Sequence, residues 1–429
     1  MSKLQVPFFR AFLQEQEVNE VVDTLRSGWL TSGPKVKRFE QAFVAALDPA
    51  GRRLGSNGKV HAVAVNSGTA ALHLAVEALG LKAGQAVLVP TMTFAATAEV
   101  VRYQGAMPVL VDCDPVTLNM DLDDARRKCF QQTANGKAPG ANVRNQKSEV
   151  NGQRSKTADI VGIMPVHVGG AMMDLDQLQR FATEQKLWVV EDAAHAFPAG
   201  WRRSAEAPWQ HRSNGSKAVT CYSFYANKTI TTGEGGMAVT SNAKLAKRMR
   251  LMSLHGLSAD AWDRFSSNGS WDYKIVAPGY KYNLTDIAAA IGIHQVGRAE
   301  AMRTEREKVA RRYCEELSID QIELPLNDGN RIQSWHLFAI RLRLERLKLS
   351  RDAFMAELKR SGVACSVHWR PLHLHPYYQK TFGYRAKDFP NATRQWRGLV
   401  SLPIFPGMLD DEIEHVIRSV RQLCIRHAR

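Results

Sequence analysis

From about residue 60 to 250, short apolar runs alternate with segments whose apolar residues recur every three or four positions, the pattern of strands separated by helices. AVAVNSGTAALHLAVEALGL, from Ala62 to Leu81, reads as a strand, a glycine turn and a helix with apolar positions Leu72, Ala75, Val76 and Leu79. LWVVEDAAHA is a continuous apolar run ending at Glu191 and Asp192, and CYSF, from Cys221 to Phe224, is a short buried strand. These elements predict an α/β fold with a large domain on a mostly parallel sheet. Beyond it, LTDIAAAIGIHQVGRAEAMRTEREKVARRYCEEL has helical spacing with a break at GIHQVG, which predicts a helix pair or one bent helix. SWHLFAIRLRL then reads as a strand, LSRDAFMAELKRSG as a helix closed by Gly362, and VACSVHW as a further strand. The expected division is 1–265 for an N-terminal segment and large domain, and 266–429 for a helical connection and smaller C-terminal α/β domain, onto which the N-terminal segment folds back. A chain of 429 residues exceeds the usual single-domain size.

Within SFYANKTITTGEGGM, from Ser223 to Met237, Lys228 lies between a β-type run and the turn Gly233-Glu234-Gly235-Gly236. Glycines let backbone approach a ligand closely, so this amine stands at a strand end beside an accessible surface. Read alone, Lys228 is a solvated loop lysine, and only partners elsewhere in the chain change that reading. Asp192 closes the upstream strand, and open parallel sheets bind ligands at the carboxyl ends of their strands; a helix N-cap is the alternative. His195, three residues on, is placed to hydrogen-bond a ligand or Asp192, or to be an ordinary structural histidine. Ser67-Gly68-Thr69 opens a helix whose free N–H groups and positive dipole end make an anion site. Ser67 or Thr69 equally reads as an N-cap, and neither GxGxxG nor a Walker pattern accompanies the turn.

In order and spacing, SGTAALHLA, PTMTFAATAEV, EDAAHA, SFYANKTITTGEGGM and GYKYNLTDIAAAIG resemble the DegT/DnrJ/EryC1/StrS family of sugar aminotransferases. The likeness runs from VPFFR near the start to SLPIFPGM near the end. It implies the aspartate aminotransferase type of fold (fold type I), pyridoxal 5'-phosphate as cofactor, and a homodimer with shared active sites. By the same resemblance, Lys228 holds the cofactor covalently and shuttles a proton, while Asp192 pairs with the ring nitrogen. Phe94 is implied to stack on the ring, although by itself it reads as a core phenylalanine. Gly68, Thr69 and Ser223 match the phosphate binders, and His195, from its own place in the chain, is an expected cofactor contact. Asn283 matches an asparagine that reaches the phosphate held by the neighbouring subunit; without the resemblance it reads as a helix N-cap. Thr31 in WLTSGP and His368 in SVHWRPLHLHPYY are implied acceptor-side contacts. Relatives with histidine at the lysine position are dehydratases, so the lysine here implies transamination from L-glutamate to a nucleotide-linked keto sugar. PVHVGGAMMDLDQL, HGLSADAWDRF and SWHLFAIRL look most like the branch that includes the UDP-4-amino-4-deoxy-L-arabinose aminotransferase. ANKTITTGEGGM also resembles perosamine synthases, which use a GDP sugar.

Basic residues outnumber acidic ones by 57 to 42, a formal charge of +15 that raises nucleic-acid binding as a rival. They are spread along the chain with no aromatic-interleaved patch, so attraction of a pyrophosphate-bearing substrate, or solubility, is the expected use and nucleic acid is not an expected partner. A regulatory relative that binds cofactor without turnover is a second rival. No charged start leads into an apolar stretch, and no apolar run approaches about eighteen residues; a cytoplasmic protein without membrane contact is expected. Six cysteines without a CxxC predict reduced thiols. His368, His373 and His375 cluster without a cysteine or carboxylate to complete a ligand set, and no metal is expected. Two stretches depart from the family pattern: Cys129 to Ile160, with a polar insertion at about 130–158 read as mobile, and Trp201 to Val219, read as a solvated loop.

Overall fold

Alternate side chains of a strand point to opposite faces, and in this chain helices cover both. The computed structural model describes residues 4–47, 59–135, 158–257 and 274–429. Helices α1 (Glu15–Ser27) and α2 (Pro34–Leu47) lead into β1 (His61–Val65), α3 (Gly68–Ala78), β2 (Ala86–Pro90), α4 (Ala96–Tyr103) and β3 (Met107–Val111). Next come α5 (Leu122–Asn135), β4 (Ile160–Ile163), α6 (Leu175–Glu184), β5 (Trp188–Asp192), β6 (Gly200–Trp201), β7 (Ala218–Ser223), β8 (Gly236–Thr240) and α7 (Ala243–Met252). Seven of these strands form one sheet in the order β1-β8-β7-β5-β4-β2-β3, parallel except for β8, which is antiparallel to both neighbours. The expected α/β fold with a mostly parallel sheet is the observed one.

The chain continues through α8 (Asp286–Gly297) and α9 (Ala299–Glu316), the expected helix pair, which breaks at Arg298. Then follow β9 (Ile322–Glu323), β10 (Arg331–Ile332), β11 (Phe338–Leu342), α10 (Arg351–Arg360), α11 (Pro376–Phe382), α12 (Pro390–Gly398), β12 (Leu399–Leu402) and α13 (Asp410–Arg426). Strands β12, β11 and β9 make a separate antiparallel sheet around a third apolar cluster that includes Phe338, Phe354 and Ile417. In the large sheet, Val63, Val65, Val190 and Cys221 join the cluster under α3, α4 and α7, while Ala62, Ala64, Val189 and Tyr222 join the one under α2, α6 and α8. Burial on both faces is why these strands read as continuous apolar runs.

Several local expectations fail. VACSVHW forms no ladder, because its backbone is divided between two partners: isolated bridges join Val363 to Val6 and Ser366 to Ser401. Val6 donates to the Gly362 carbonyl at 2.8 Å and accepts from Ala364 N–H at 3.0 Å, so the N-terminal segment does fold back here. The strand expected from Ser334 starts only at Phe338, because Ser334 and Leu337 spend their N–H groups on the Gly170 and Gly169 carbonyls. Thr285, not Asn283, caps α8 by accepting from Ala288 N–H. Cys129 to Asn135 completes α5, while residues 136–157 of the polar insertion lie outside the described residues. So do the boundary expected at 265 and most of HGLSADAWDRF. Trp201 to Val219 is not simply solvated: Trp201, Arg212 and Ser213 are all buried, and Arg212 donates to the Ser241 hydroxyl at 2.8 Å.

Gly292 of α8 lies against the Phe39 ring of α2, where an added Cβ meets Phe39 Cε2 at 2.6 Å. Phe39 has little room to move, being held edge-on by Phe43 and Phe224. Glycine to alanine inside a helix ordinarily stabilises by about 0.5–1 kcal/mol. Here overpacking reverses the sign: Gly292→Ala is expected to cost about 1–3 kcal/mol in urea unfolding, and a stabilised variant would refute the packing account.

Candidate active site

The turns that leave the carboxyl ends of β1, β2, β5 and β7 meet around a cavity of about 430 Å³, the place where an open parallel sheet binds ligands. Gly68, Thr69, Phe94, Asp192, His195, Ser223, Lys228 and His368 all line it.

Two adjacent carboxylates on β5 face opposite ways. Glu191 is fully buried and accepts from His167 Nε2–H at 2.9 Å, the Thr220 hydroxyl at 2.7 Å and Ser213 N–H at 2.6 Å. His167 Nδ1 accepts from Met173 N–H at 3.3 Å, which fixes the ring proton on Nε2. Burial raises the Glu191 carboxyl, but His167 and the other donors outweigh it and hold the group below its ordinary range. Asp192 turns to the cavity. Its Oδ2 accepts from the Thr97 hydroxyl at 2.7 Å and its Oδ1 from Ala194 N–H at 3.1 Å. Burial raises this carboxyl as well, against the hydrogen bond from Thr97 and the charge of Lys228.

Lys228 hangs from a loop that its own glycines close. Phe224 N–H donates to the Gly235 carbonyl at 2.8 Å, Thr232 N–H returns to Phe224 at 3.0 Å, and Gly233 adopts a left-handed φ of 80°. Desolvation lowers the Lys228 amine to about 8, while Asp192 acts in the opposite direction. On the other side, the Ser67 hydroxyl caps α3 by accepting from Ala70 N–H at 3.0 Å. The N–H groups of Gly68 and Thr69 stay free of intrahelical bonds. No side chain fits at Gly236, where a Cβ would run into the Ser67 carbonyl, and one at Gly68 would come within 2.8 Å of Ser223 Cβ. The glycines thus press the helix start against β7 and β8.

Phe94 is 63% exposed at the cavity edge, which excludes the core alternative. His195 does not bond Asp192, whose oxygens are taken by Thr97 and Ala194. Instead its Nδ1 accepts from Gly169 N–H at 3.3 Å and its ring stacks on Trp369 at 5.0 Å. His368 bonds the Ser401 hydroxyl at 2.9 Å and stacks on Phe8. His373 is bonded to Thr91 and Thr393, and His375 to the Arg370 carbonyl. Thr31 and Asn283 lie outside the cavity of their own chain. Asp286 accepts from Gly33, Lys35 and Val36 N–H groups, which pins the start of α2 to α8, and Asn283 donates to the neighbouring Ser32 hydroxyl at 2.8 Å.

Sequence reasoning missed Thr97, His336 and Trp369. Thr97 had a signal: on a helix it returns to the side of Thr93, four residues earlier, and the two hydroxyls bond at 2.7 Å. His336 and Trp369 were hidden by strand readings, since both stand outside the strands.

The model of the DegT/DnrJ/EryC1/StrS aminotransferase family matches residues 12–421. The chain is 38% identical over 423 residues to the spore coat polysaccharide biosynthesis protein SpsC of Bacillus subtilis, covering 97% of each. It is 39% identical over 419 residues to an uncharacterized protein of Methanocaldococcus jannaschii, again covering 97% of each. Among solved structures, the PLP-form of a putative sugar aminotransferase from Streptococcus pneumoniae matches with a TM-score of 0.80 at 28% identity, covering 99% of both chains. The PMP-form of the same protein matches with the same TM-score.

Among the described residues, Asp192 is the group that raises the Lys228 amine. In cofactor-free protein, Asp192→Asn is therefore expected to move that titration below about 8. The pH dependence of reductive methylation at Lys228, followed by mass spectrometry, reads it; an upward move would show that the two groups do not interact as described.

Proposed function

We propose, for a chain that belongs to the DegT/DnrJ/EryC1/StrS aminotransferase family and is a pyridoxal-phosphate-dependent aminotransferase, that it moves an amino group from L-glutamate to C4 of a UDP-linked keto sugar. The observation that carries this reading is Lys228 and Asp192 on one desolvated cavity, close enough to shift each other's titration, beside the open N-terminus of α3. This donor set fits the cofactor: an amine, a buried carboxylate, an anion site of backbone N–H groups and an exposed aromatic ring. When bound, pyridoxal phosphate supplies an electron-withdrawing ring conjugated to the carbon that loses a proton.

Lys228 holds the cofactor and, once released, carries a proton at the amino-bearing carbon. Desolvation that lowers its pKa to about 8 weakens its hold on a proton, which suits an amine that takes up and gives back that proton. Asp192 accepts the ring N–H, aimed by Thr97 and Ala194. Gly68 and Thr69 N–H groups and the Ser223 hydroxyl bind the phosphate, and Phe94 lies on the ring. His195 accepts from Gly169 through Nδ1, so it presents Nε2–H to the cofactor. His368 contacts the acceptor.

Asn283 and Thr31 serve the site of a second copy in a homodimer. Their position outside their own cavity, with Asn283 bonded to Ser32 next to Thr31, supports this. The name of the Bacillus subtilis relative supports a role in polysaccharide assembly. The UDP carrier rests on the likeness of PVHVGGAMMDLDQL and SWHLFAIRL to that branch, and the charge of +15 suits a diphosphate substrate.

Lys228→Ala is expected to lower turnover about 10³-fold or more, measured as amino sugar formed from glutamate and a panel of UDP, dTDP and GDP keto sugars. Retained turnover would remove the lysine assignment, and a preference for the GDP sugar would reassign the carrier. Mixed dimers of Lys228→Ala and Asn283→Ala protomers are expected to regain one working site of two. Failure of mixing to restore activity would show that the sites are not shared.

A further inference from the structure

The turn from Ser334 to Leu337 is held from several sides. Ser334 and Leu337 N–H groups donate to the Gly170 and Gly169 carbonyls at 3.3 and 3.2 Å, and the Ser334 hydroxyl donates to the His195 carbonyl. From behind, the Arg306 guanidinium donates to the Trp335 carbonyl at 3.3 Å. Trp335, buried, is held there with a left-handed φ of 48°, a strained backbone for a bulky residue. This arrangement sets His336, 6% exposed, on the cavity wall with its ring 4.1 Å from that of His195. His336 Nδ1 is buried without a hydrogen-bond partner, which leaves Nε2 as the nitrogen that can offer an N–H to a ligand.

Two cations act on this imidazole, Lys228 and Arg306, while burial keeps the neighbouring His195 and His368 neutral. Arg306 is 3% exposed, donates only to the carbonyls of Trp335 and Ile404, leaves Nε without a partner and forms no ion pair among the described residues. A buried cation without a counter-ion is costly, and an anion arriving beside it offsets that cost. The acceptor carries its negative charge on the diphosphate, while the sugar it presents to the reacting atoms brings only hydroxyls. The amino donor, an amino acid, brings a carboxylate.

We propose that His336 is a binding residue for the amino donor: its Nε2–H donates to a donor carboxylate while Arg306 supplies the compensating positive field. This rests on the transaminase reading only in that the donor is an amino acid. The test uses the holoenzyme and glutarate, an unreactive dicarboxylate, titrated by calorimetry. His336→Ala is expected to weaken glutarate binding at least tenfold while UDP binding changes less than threefold. His336→Asn, which keeps a donor group, recovers part of the loss. In the first half-reaction, followed by cofactor absorbance, His336→Ala raises the glutamate concentration for half-maximal rate at least tenfold and lowers the limiting rate less than threefold. A glutarate effect below tenfold, or an equal loss of UDP binding, overturns the proposal. Glutarate binding needs neither sugar nor turnover, so absence of transamination by the wild-type protein would sink the function proposed above and leave this test intact.

Discussion

One buried carboxylate ties the site together. Glu191 has no contact with water, and the three donors that satisfy it come from the turn after β4, the loop before β7 and β7 itself. Removing any of them leaves a buried charge short of a partner, so these segments are bound to a common geometry. Because neighbouring strand residues face opposite ways, the same strand end that anchors Glu191 delivers Asp192 to the cavity. A structural carboxylate and a chemical one are thus consecutive in the chain, and the rigidity of the first is inherited by the second.

The cavity works by desolvation. Burial lowers His195 and His336 well below the usual imidazole range, His368 to about 4, and the Lys228 amine to about 8. Neutral imidazoles that keep one N–H each suit ligands with their own lone pairs, and a lysine poised near neutrality can both hold and release a proton. The same dry environment makes fixed charges consequential, because an uncompensated one is felt by its neighbours without screening. Asp192 and Arg306 lie at opposite ends of this balance: one raises the lysine, the other adds to the positive field at His336.

The large sheet was legible in the chain because burial on both faces writes itself as uninterrupted apolar runs, and the helix between Gly68 and Ala78 because its apolar spacing and serine cap are local. The smaller sheet was legible only in part. VACSVHW has the composition of a strand, yet Val6 and Ser401 each claim one end of it, and neither is near it in sequence. Trp201 to Val219 looked solvated because it is polar, whereas Arg212 and Ser213 are drawn inward by partners as distant as Ser241 and Glu191.

The sequence by itself determined the α/β class of the large sheet, the identity of the family and the choice of Lys228 and Asp192 at strand ends, since each depends on residue types at fixed spacing along the chain. Tertiary structure alone decided that His195 turns to Gly169 rather than Asp192, that Thr97 steadies the aspartate, and that Asn283 and Thr31 leave their own cavity. It also brought His336 onto the cavity that Lys228 lines, by holding a strand-like segment out of the sheet. The reason is physical: which hydrogen bonds a buried polar group makes depends on what other segments leave unsatisfied, and that is fixed only when the chain has packed.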